Sequence, residues 1–425
     1  MTASPAVARV GFLRALHSRP FALLWIGQTI SALGDGAFTL ALAWAVLLRT
    51  GSATALGSVL VARSVPMLIF LLIGGVAADR VPRRSVMLAS DGGRAVAVLL
   101  IALLSWSGAL QVWHLIVLSV VFGVADGFFM PAYQSIAPDL VAVDTLPSAN
   151  SLTGLSRQLS VLLGPLLGAA LVATIGVQVA FAFDGLTFVA SALCLLTMRL
   201  PPLTLSVGPA EDGTSVRRGV HGMVGDVGDG FRYIRASSWL WVTIVLAAIF
   251  NMSASGAQAV VLPKLIRTVY NANVGLFGAL ATAGGIGAIA TSVAVGQIRP
   301  VHHRGVLAYA GLGLASVALI AYGLPLPRGS LPFVALGAST VSGAGAALFG
   351  VIWQTVLQEL VPADKLGRVS SVDLLGSFAL LPLGYALVGV LTDHIGPAQV
   401  FIAAGSVNLA FTVIGLGVRG IRTLE

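Results

Sequence analysis

The sequence predicts an all-α polytopic membrane protein, with twelve transmembrane helices built as two parallel six-helix repeats and both termini cytoplasmic. Three observations carry that expectation. Charged residues make up 9% of the 425-residue chain and hydrophobic residues 57%, against roughly 25% charge in soluble domains, so most side chains cannot face water. Apolar runs of the ~20 residues needed to cross a bilayer recur along the whole chain. A shift of 220 residues superposes Asp139 on Glu359, Leu140-Val141 on Leu360-Val361, Asp144 on Asp364, Gly164 on Gly384 and Ile175-Gly176 on Ile395-Gly396. The short alternating segments of a membrane β-barrel are missing.

The runs lie near 21–48, 53–78, 85–107, 112–134, 147–174, 177–199, 239–264, 273–297, 305–324, 331–358, 366–392 and 397–418. Residues 1–20 are a cytoplasmic N-terminal segment and 21–199 the N-terminal six-helix bundle. Residues 200–238 form a cytoplasmic linker, 239–418 the C-terminal bundle and 419–425 a cytoplasmic tail. Arg9, Arg14 and Arg19 precede a run far longer than a signal peptide's core of about 7–15 residues, so the first helix is retained. In the linker, Met223, Val227, Phe231 and Ile234 fall at helical spacing opposite Asp226, Asp229, Arg232 and Arg235. A helix on the inner membrane surface and a solvated connector both fit that pattern.

Arginine and lysine set the orientation. With both termini inside, seventeen of the 24 Lys and Arg residues fall in cytoplasmic segments; Arg49, Lys264, Arg267 and Arg328 fall outside, and Arg63, Arg94 and Arg157 within helices. That asymmetry obeys the positive-inside rule. It also explains the net charge of +8 without nucleic acid, because the basic residues are spread over many short loops. The single cysteine, Cys194, rules out an internal disulfide. No phosphate loop or metal-ligand cluster is present, and the only lysines are Lys264 and Lys365, so direct ATP drive, a cofactor, a metal centre and enzymatic chemistry are not expected.

The densest polar stretch runs from Gly74 to Arg84, where Asp79, Arg80, Arg83 and Arg84 crowd into six residues between two apolar runs. Such charge cannot lie in hydrocarbon, so the stretch is a turn at the inner face.

Inside the helices, a charge at mid-bilayer costs roughly 2.5–3.5 kcal/mol, which marks intramembrane ionisable groups as functional candidates. The first half holds Asp35, Arg63, Asp91, Arg94, Asp126, Arg157 and Asp184; their partners at the 220 shift are Ser255, Ala283, Gly311, Leu314, Ala346, Ser377 and Ala404. None of those counterparts titrates, so if the protein couples to protons the amino-terminal half does it, while the other half contributes mainly shape. At ~1.5 Å per residue, Asp35 and Arg63 lie at one depth, as do Asp126 and Arg157. Asp35 and Asp126 are the proton-coupling candidates, with Arg63 and Arg157 as charge partners or structural counterions. Asp91 and Arg94, three apart on one helix face, read as a structural ion pair. Asp184 reads as structural. Candidates for an amphipathic substrate's cavity are Trp25, Gln28, Phe128, Tyr133, Asn251, Gln258, Trp353 and Gln354; core packing or lipid contact is the alternative for each.

These residues resemble the major facilitator superfamily over essentially the whole chain. Gly75-x-x-x-Asp79-Arg80-x-Pro82-Arg83-Arg84 resembles that family's signature loop between helices two and three, with proline where glycine is usual. Gly164-Pro165-x-x-Gly168 in the fifth helix is similar to its antiporter motif, although Ala169 follows where a second glycine is common. Leu33-Gly34-Asp35, Asp91 with Arg94, and Pro131-Ala132 resemble the drug:proton antiporter branch that includes macrolide and enterobactin exporters. In the second half, Arg299 stands opposite Asp79, so the repeated loop has lost its acid. The resemblance implies a secondary active transporter, multi-pass in the inner membrane and monomeric, which exports an amphipathic small molecule against protons. It further implies that Asp79 latches the inner ends near residues 364–368 of helix eleven. A downhill or symport carrier of a lipid or nutrient stays open, as does a non-transporting receptor or scaffold, which the lack of a sizeable soluble domain disfavours.

Overall fold

The computed structural model describes residues 11–198, 231–297 and 302–424; the side chains of Leu72, Asp79, Ala363 and Asp364 also lie outside the description. Twelve helices are long and apolar enough to cross a membrane. They are α1 (Arg19–Thr50), α2 (Ala53–Arg80), α3 (Arg83–Trp106), α4 (Val112–Leu140), α5 (Leu146–Thr174) and α6 (Val177–Thr197). The second set is α7 (Ser238–Thr268), α8 (Val274–Gln297), α9 (Arg304–Tyr322), α10 (Leu331–Leu360), α11 (Lys365–Ile395) and α12 (Pro397–Gly417). The expected spans are all present. The charged turn is tighter than its sequence suggests, because α2 continues through Arg80 and α3 begins at Arg83, leaving Val81 and Pro82 between them. Most of the linker, 199–230, and with it the first part of the amphipathic pattern, lies outside the described residues; 231–236 are helical, with Ile234 buried and Phe231 exposed.

The chain divides into two compact units. One comprises residues 1–42 and 62–204, the other 43–61 and 205–425. The boundary between repeats is therefore not the boundary between units, since the turn joining α1 to α2 belongs with the carboxy-terminal helices.

In the first unit α3 packs between α4 and α6. Close approach depends on glycine. A Cβ at Gly123 of α4 would lie 2.0 Å from the Arg63 carbonyl of α2, and one at Gly185 of α6 would lie 2.6 Å from the Leu99 side chain of α3. Phe38, Phe122, Phe181 and Phe188 fill the interior, with Phe38 and Phe122 stacked at 5.4 Å.

In the second unit α10 packs against α8 and α9, and α9 against α12. Here too a Cβ at Gly343 of α10 would meet the Gly284 carbonyl of α8 at 2.0 Å. α7 is irregular. It carries two π-helical turns, Asn251–Ser255 and Ala257–Val261, on either side of Gly256, the kind of ladder defect that accumulates at functional sites. α11 breaks between Phe378 and Leu381, where Pro382 supplies no amide proton to continue the helix. The α1–α2 turn is fastened to this unit by Asp393 of α11, which accepts from the Ser52 hydroxyl at 2.6 Å and from the Ala53 and Thr54 amides at 2.9 Å each. Lys264 of α7 pairs with the same carboxylate, and Arg267 donates to the Leu47 carbonyl.

Candidate functional site

Five helices of the first unit, α1, α2, α3, α4 and α6, bring charged side chains into one interior cluster. Asp126 of α4 is its hub: Arg63 of α2 donates to one carboxylate oxygen at 3.0 Å and Arg94 of α3 to the other at 3.1 Å. Arg94 also pairs with Asp91 one turn earlier on α3. The second oxygen of Asp91 accepts from the Ser191 hydroxyl of α6 at 2.7 Å, and Gln28 of α1 donates to that hydroxyl at 2.7 Å. Aromatic faces take up the guanidiniums: Arg63 lies 4.2 Å from the Phe122 centroid, and Arg94 lies 4.1 and 4.5 Å from those of Phe129 and Phe188. Rings of this kind attract cations while excluding water.

The pairing differs from the depth estimate. Arg63 serves Asp126 and not Asp35, while Arg157, the partner expected for Asp126, is exposed on α5. Depth alone cannot give the azimuth of a side chain, and the rotation of each helix decided the matter. Asp91 and Arg94 form the expected ion pair, but Arg94 also bridges to Asp126, so they belong to the cluster.

Asp35 of α1 and Asp184 of α6 complete the group. Asp35 Oδ1 and Asp184 Oδ2 are both sealed from solvent with no hydrogen-bond partner among the described residues. Asp184 is wholly buried. Arg94, Asp126, Arg63, Asp91 and Asp184 are among the charges within electrostatic reach of Asp35, and Arg63 and Arg94 also reach Asp184.

The antiporter-like motif packs beside Asp35. Cβ atoms built on Gly36 of α1 and Gly164 of α5 would each lie 2.8 Å from the other's Cα, and one on Gly168 would lie 2.7 Å from the Ala37 carbonyl. Only residues without side chains permit that contact. Pro165, inside α5, removes one ladder bond next to it. Ser160 of α5 donates to the Ala32 carbonyl, so α5 grips α1 on both sides of the acid.

The signature-loop arginines bind inward within the same unit. Arg83 donates to the Ser135 carbonyl at 2.8 Å and to Asp139 at 2.6 Å. Arg84 caps the end of α6 through the Leu195 and Leu196 carbonyls at 2.6 and 2.8 Å, where a cation also suits the helix dipole. Gly75 has open space around its Cα, and Arg80 is exposed. The latch expected of Asp79 falls on a side chain outside the description.

The cavity candidates do not gather into one set. In the first unit Trp25 donates to the Leu152 carbonyl at 2.9 Å, Gln28 is committed to the charge cluster, and Phe128 and Tyr133 pack on Phe70 and Phe129. In the second, Asn251 donates to the Ser377 carbonyl at 3.1 Å, Gln258 to Ser342 at 3.4 Å, and Gln354 is exposed. Trp353 points to a residue the sequence reading missed: its indole donates to Asp373 at 3.2 Å, and the Ser377 hydroxyl reaches the other oxygen at 3.4 Å. Asp373 carries no signal in the repeat comparison, because its counterpart at the 220 shift is the neutral Thr153. An inspection of each apolar run for acids would have found it.

A fold of two six-helix repeats with charge buried in one of them defines a membrane transporter. The sequence model of the Major Facilitator Superfamily matches residues 24–378 and again 244–423, and the chain belongs to that family. It is 27% identical over 423 residues to the multidrug efflux pump Tap of Mycolicibacterium fortuitum, covering 96% of this chain and 97% of that one. It is 21% identical over 407 residues to macrolide efflux protein A of Streptococcus pyogenes, at 95% and 97% coverage. Both relatives agree with the exporter branch that the motifs resemble. The crystal structure of the nucleoside transporter NupG superposes with a TM-score of 0.73 over 96% of this chain and 100% of that one at 10% identity, which supports the fold alone. The protein is thus a multi-pass membrane transporter of the superfamily and not an enzyme.

Proposed function

We propose that this transporter exports an amphipathic small molecule, of the drug, macrolide-like or siderophore kind, across the cytoplasmic membrane by proton antiport. It works by alternating access as a monomer, with both termini cytoplasmic. The observation that carries this reading is the buried cluster of the first unit, in which Asp35 keeps an oxygen without a partner beside the Gly36–Gly164 contact of the antiporter-like motif. An acid in such a place holds a proton when the surroundings are dry and releases it when water or a guanidinium reaches it. Protonation of Asp35 from the acidic side accompanies substrate release there, and deprotonation on the other side resets the carrier. Asp126, already bound to two arginines, serves as the fixed countercharge. In the second unit, Asp373 has neutral donors only, and Trp353 beside it stacks on Phe349 at 6.0 Å. A carboxylate flanked by aromatic faces suits the basic end of an amphiphile.

The test is uptake of radiolabelled erythromycin, and of a lipophilic cationic dye, into proteoliposomes with an imposed pH gradient. The expected result is gradient-driven accumulation in the native protein, which Asp35→Asn abolishes while gradient-free exchange survives. Full gradient-driven accumulation by Asp35→Asn would refute the coupling role, and equal movement with and without a gradient in the native protein would favour a downhill carrier.

A further inference from the structure

The interior of the first unit does not balance its charge. Four carboxylates, Asp35, Asp91, Asp126 and Asp184, share two guanidiniums, Arg63 and Arg94. The arginines are spent on Asp91 and Asp126, which between them accept every ion pair of the cluster. Asp35 and Asp184 are left over. Each has one carboxylate oxygen sealed from solvent and without a partner, and a buried ionised oxygen in that state is the costliest arrangement a polar group can adopt.

Asp184 lies against the residue that precedes Asp35 on α1, and the two acids interact electrostatically. A Cβ built on Gly34, the residue preceding Asp35, would lie 2.5 Å from Asp184 Oδ1 and 2.3 Å from the Thr187 hydroxyl. Glycine at that position lets α6 bring its carboxyl against the backbone of α1. The Thr187 hydroxyl donates to the Asp184 carbonyl at 2.7 Å and lies 3.4 Å from Oδ1, so Oδ2 is the free oxygen. Around Asp35 and Asp184, α2 offers Arg63, α3 offers Asp91 and Arg94, and α4 offers Asp126. α5 turns the Ser160 hydroxyl to α1, while its Arg157 is solvent-exposed.

We infer that Asp184 is a second proton-binding residue, forming with Asp35 a two-acid site that brings the cluster to neutrality when both carboxyls are protonated. Each carboxylate oxygen takes a proton from water on one side of the membrane and returns it on the other; no bond other than O–H forms or breaks. This rests on the proton-coupled reading for its purpose, but not for its measurement. The pair gives the carrier a capacity of two protons, held on helices α1 and α6. Like charges this close do not ionise independently, so their two losses of a proton are separated in pH.

The experiment is infrared spectroscopy of the carboxyl C=O stretch on the purified full-length protein in nanodiscs, titrated with pH. All samples carry Asp373→Asn, so that the acids left on the second unit's spanning helices among the described residues, Glu359 and Asp393, are ion-paired. The expected result is that Asp35→Asn and Asp184→Asn each remove about half of the buried carboxyl band and that the double variant removes it. An unchanged band in Asp184→Asn overturns the inference. If Asp184→Asn does not fold, Asp35→Asn decides alone, since loss of the whole band there would mean Asp184 holds no proton. The band is read without substrate, so its failure leaves gradient-driven export untouched, and an intact band with no gradient-driven export would instead fault the proposed function.

Discussion

The two repeats share a scaffold but fill it with opposite materials. At the loop ends, Arg83 binds Asp139 in the first unit and Arg304 binds Glu359 in the second, and Asp139 and Glu359 are counterparts at the 220 shift. In the middle of the helices, Gly123 and Gly343 are also counterparts, and each would bring a Cβ within 2.0 Å of a carbonyl on the neighbouring helix. The interiors then diverge. Where the first unit places Asp91, the second has Gly311, whose Cβ would meet the Gly345 carbonyl at 2.6 Å. Backbone contact closes a space that charge holds open in the other repeat. Helix placement is therefore set by glycine approach and end ties, which both repeats kept, and the buried charge is an addition that the fold tolerates without requiring.

If that is so, acids of the first unit should separate by whether they are paired. Asp126→Ala strands Arg63 and removes one of the two ion partners of Arg94, and breaking a buried pair costs about 3–5 kcal/mol. We expect the largest loss here, seen as a fall in the apparent melting temperature of the detergent-purified protein. Asp35→Asn removes a carboxylate with no ion pair and should leave the melting temperature unchanged or raised. Equal destabilisation by both would break the distinction between hub and proton site.

The glycine contacts come next. Gly343→Val and Gly123→Val both force side-chain atoms onto a carbonyl that cannot yield, with overpacking costs of about 1–3 kcal/mol or more. The two should be destabilised alike, because the approach is the same in both repeats. A clear difference would mean that the charge cluster braces the first unit independently of its glycines, and size-exclusion monodispersity with thermal unfolding checks it.

Asp373 sharpens the comparison from the other side. Its contacts are hydrogen bonds from Trp353 and Ser377, with no ion pair, so Asp373→Asn should shift the melting temperature little. On the proposed reading it should weaken transport of a cationic dye more than that of a neutral amphiphile. A variant that transports both as well as the native protein would remove Asp373 from the substrate path.

The architecture was legible because bilayer length and the 220-residue repeat are properties of composition and spacing, which do not depend on how helices rotate. The site was legible only in its membership. Asp35, Arg63, Asp91, Arg94 and Asp126 stand out as charges in oil, yet their pairing turns on azimuth, and so Arg63 went to Asp126 while Arg157 stayed exposed. Asp184 could not be weighed from sequence because its meaning comes from Gly34 on a helix 150 residues earlier in the chain. The irregular α7 was equally hidden, since π turns at Asn251 and Ala257 leave no distinct residue pattern.

The smallest effect tests the shared scaffold most directly. Arg83–Asp139 and Arg304–Glu359 are partly exposed pairs at the ends of helices, and such pairs contribute about 0.2–1 kcal/mol. Arg304→Ala should lower the melting temperature by an amount in that range that shrinks in high salt, since exposed charges are screened. Arg83→Ala should keep part of its shift at high salt, because Arg83 also donates to the Ser135 carbonyl at 2.8 Å, and a lost carbonyl bond is insensitive to salt. The comparison is therefore read from the slope against salt and not from the absolute change. If both variants show the same salt dependence and the same shift, the carbonyl bond adds nothing, and the two loop ends are energetically equivalent despite the arginine's displacement by one position along the repeat.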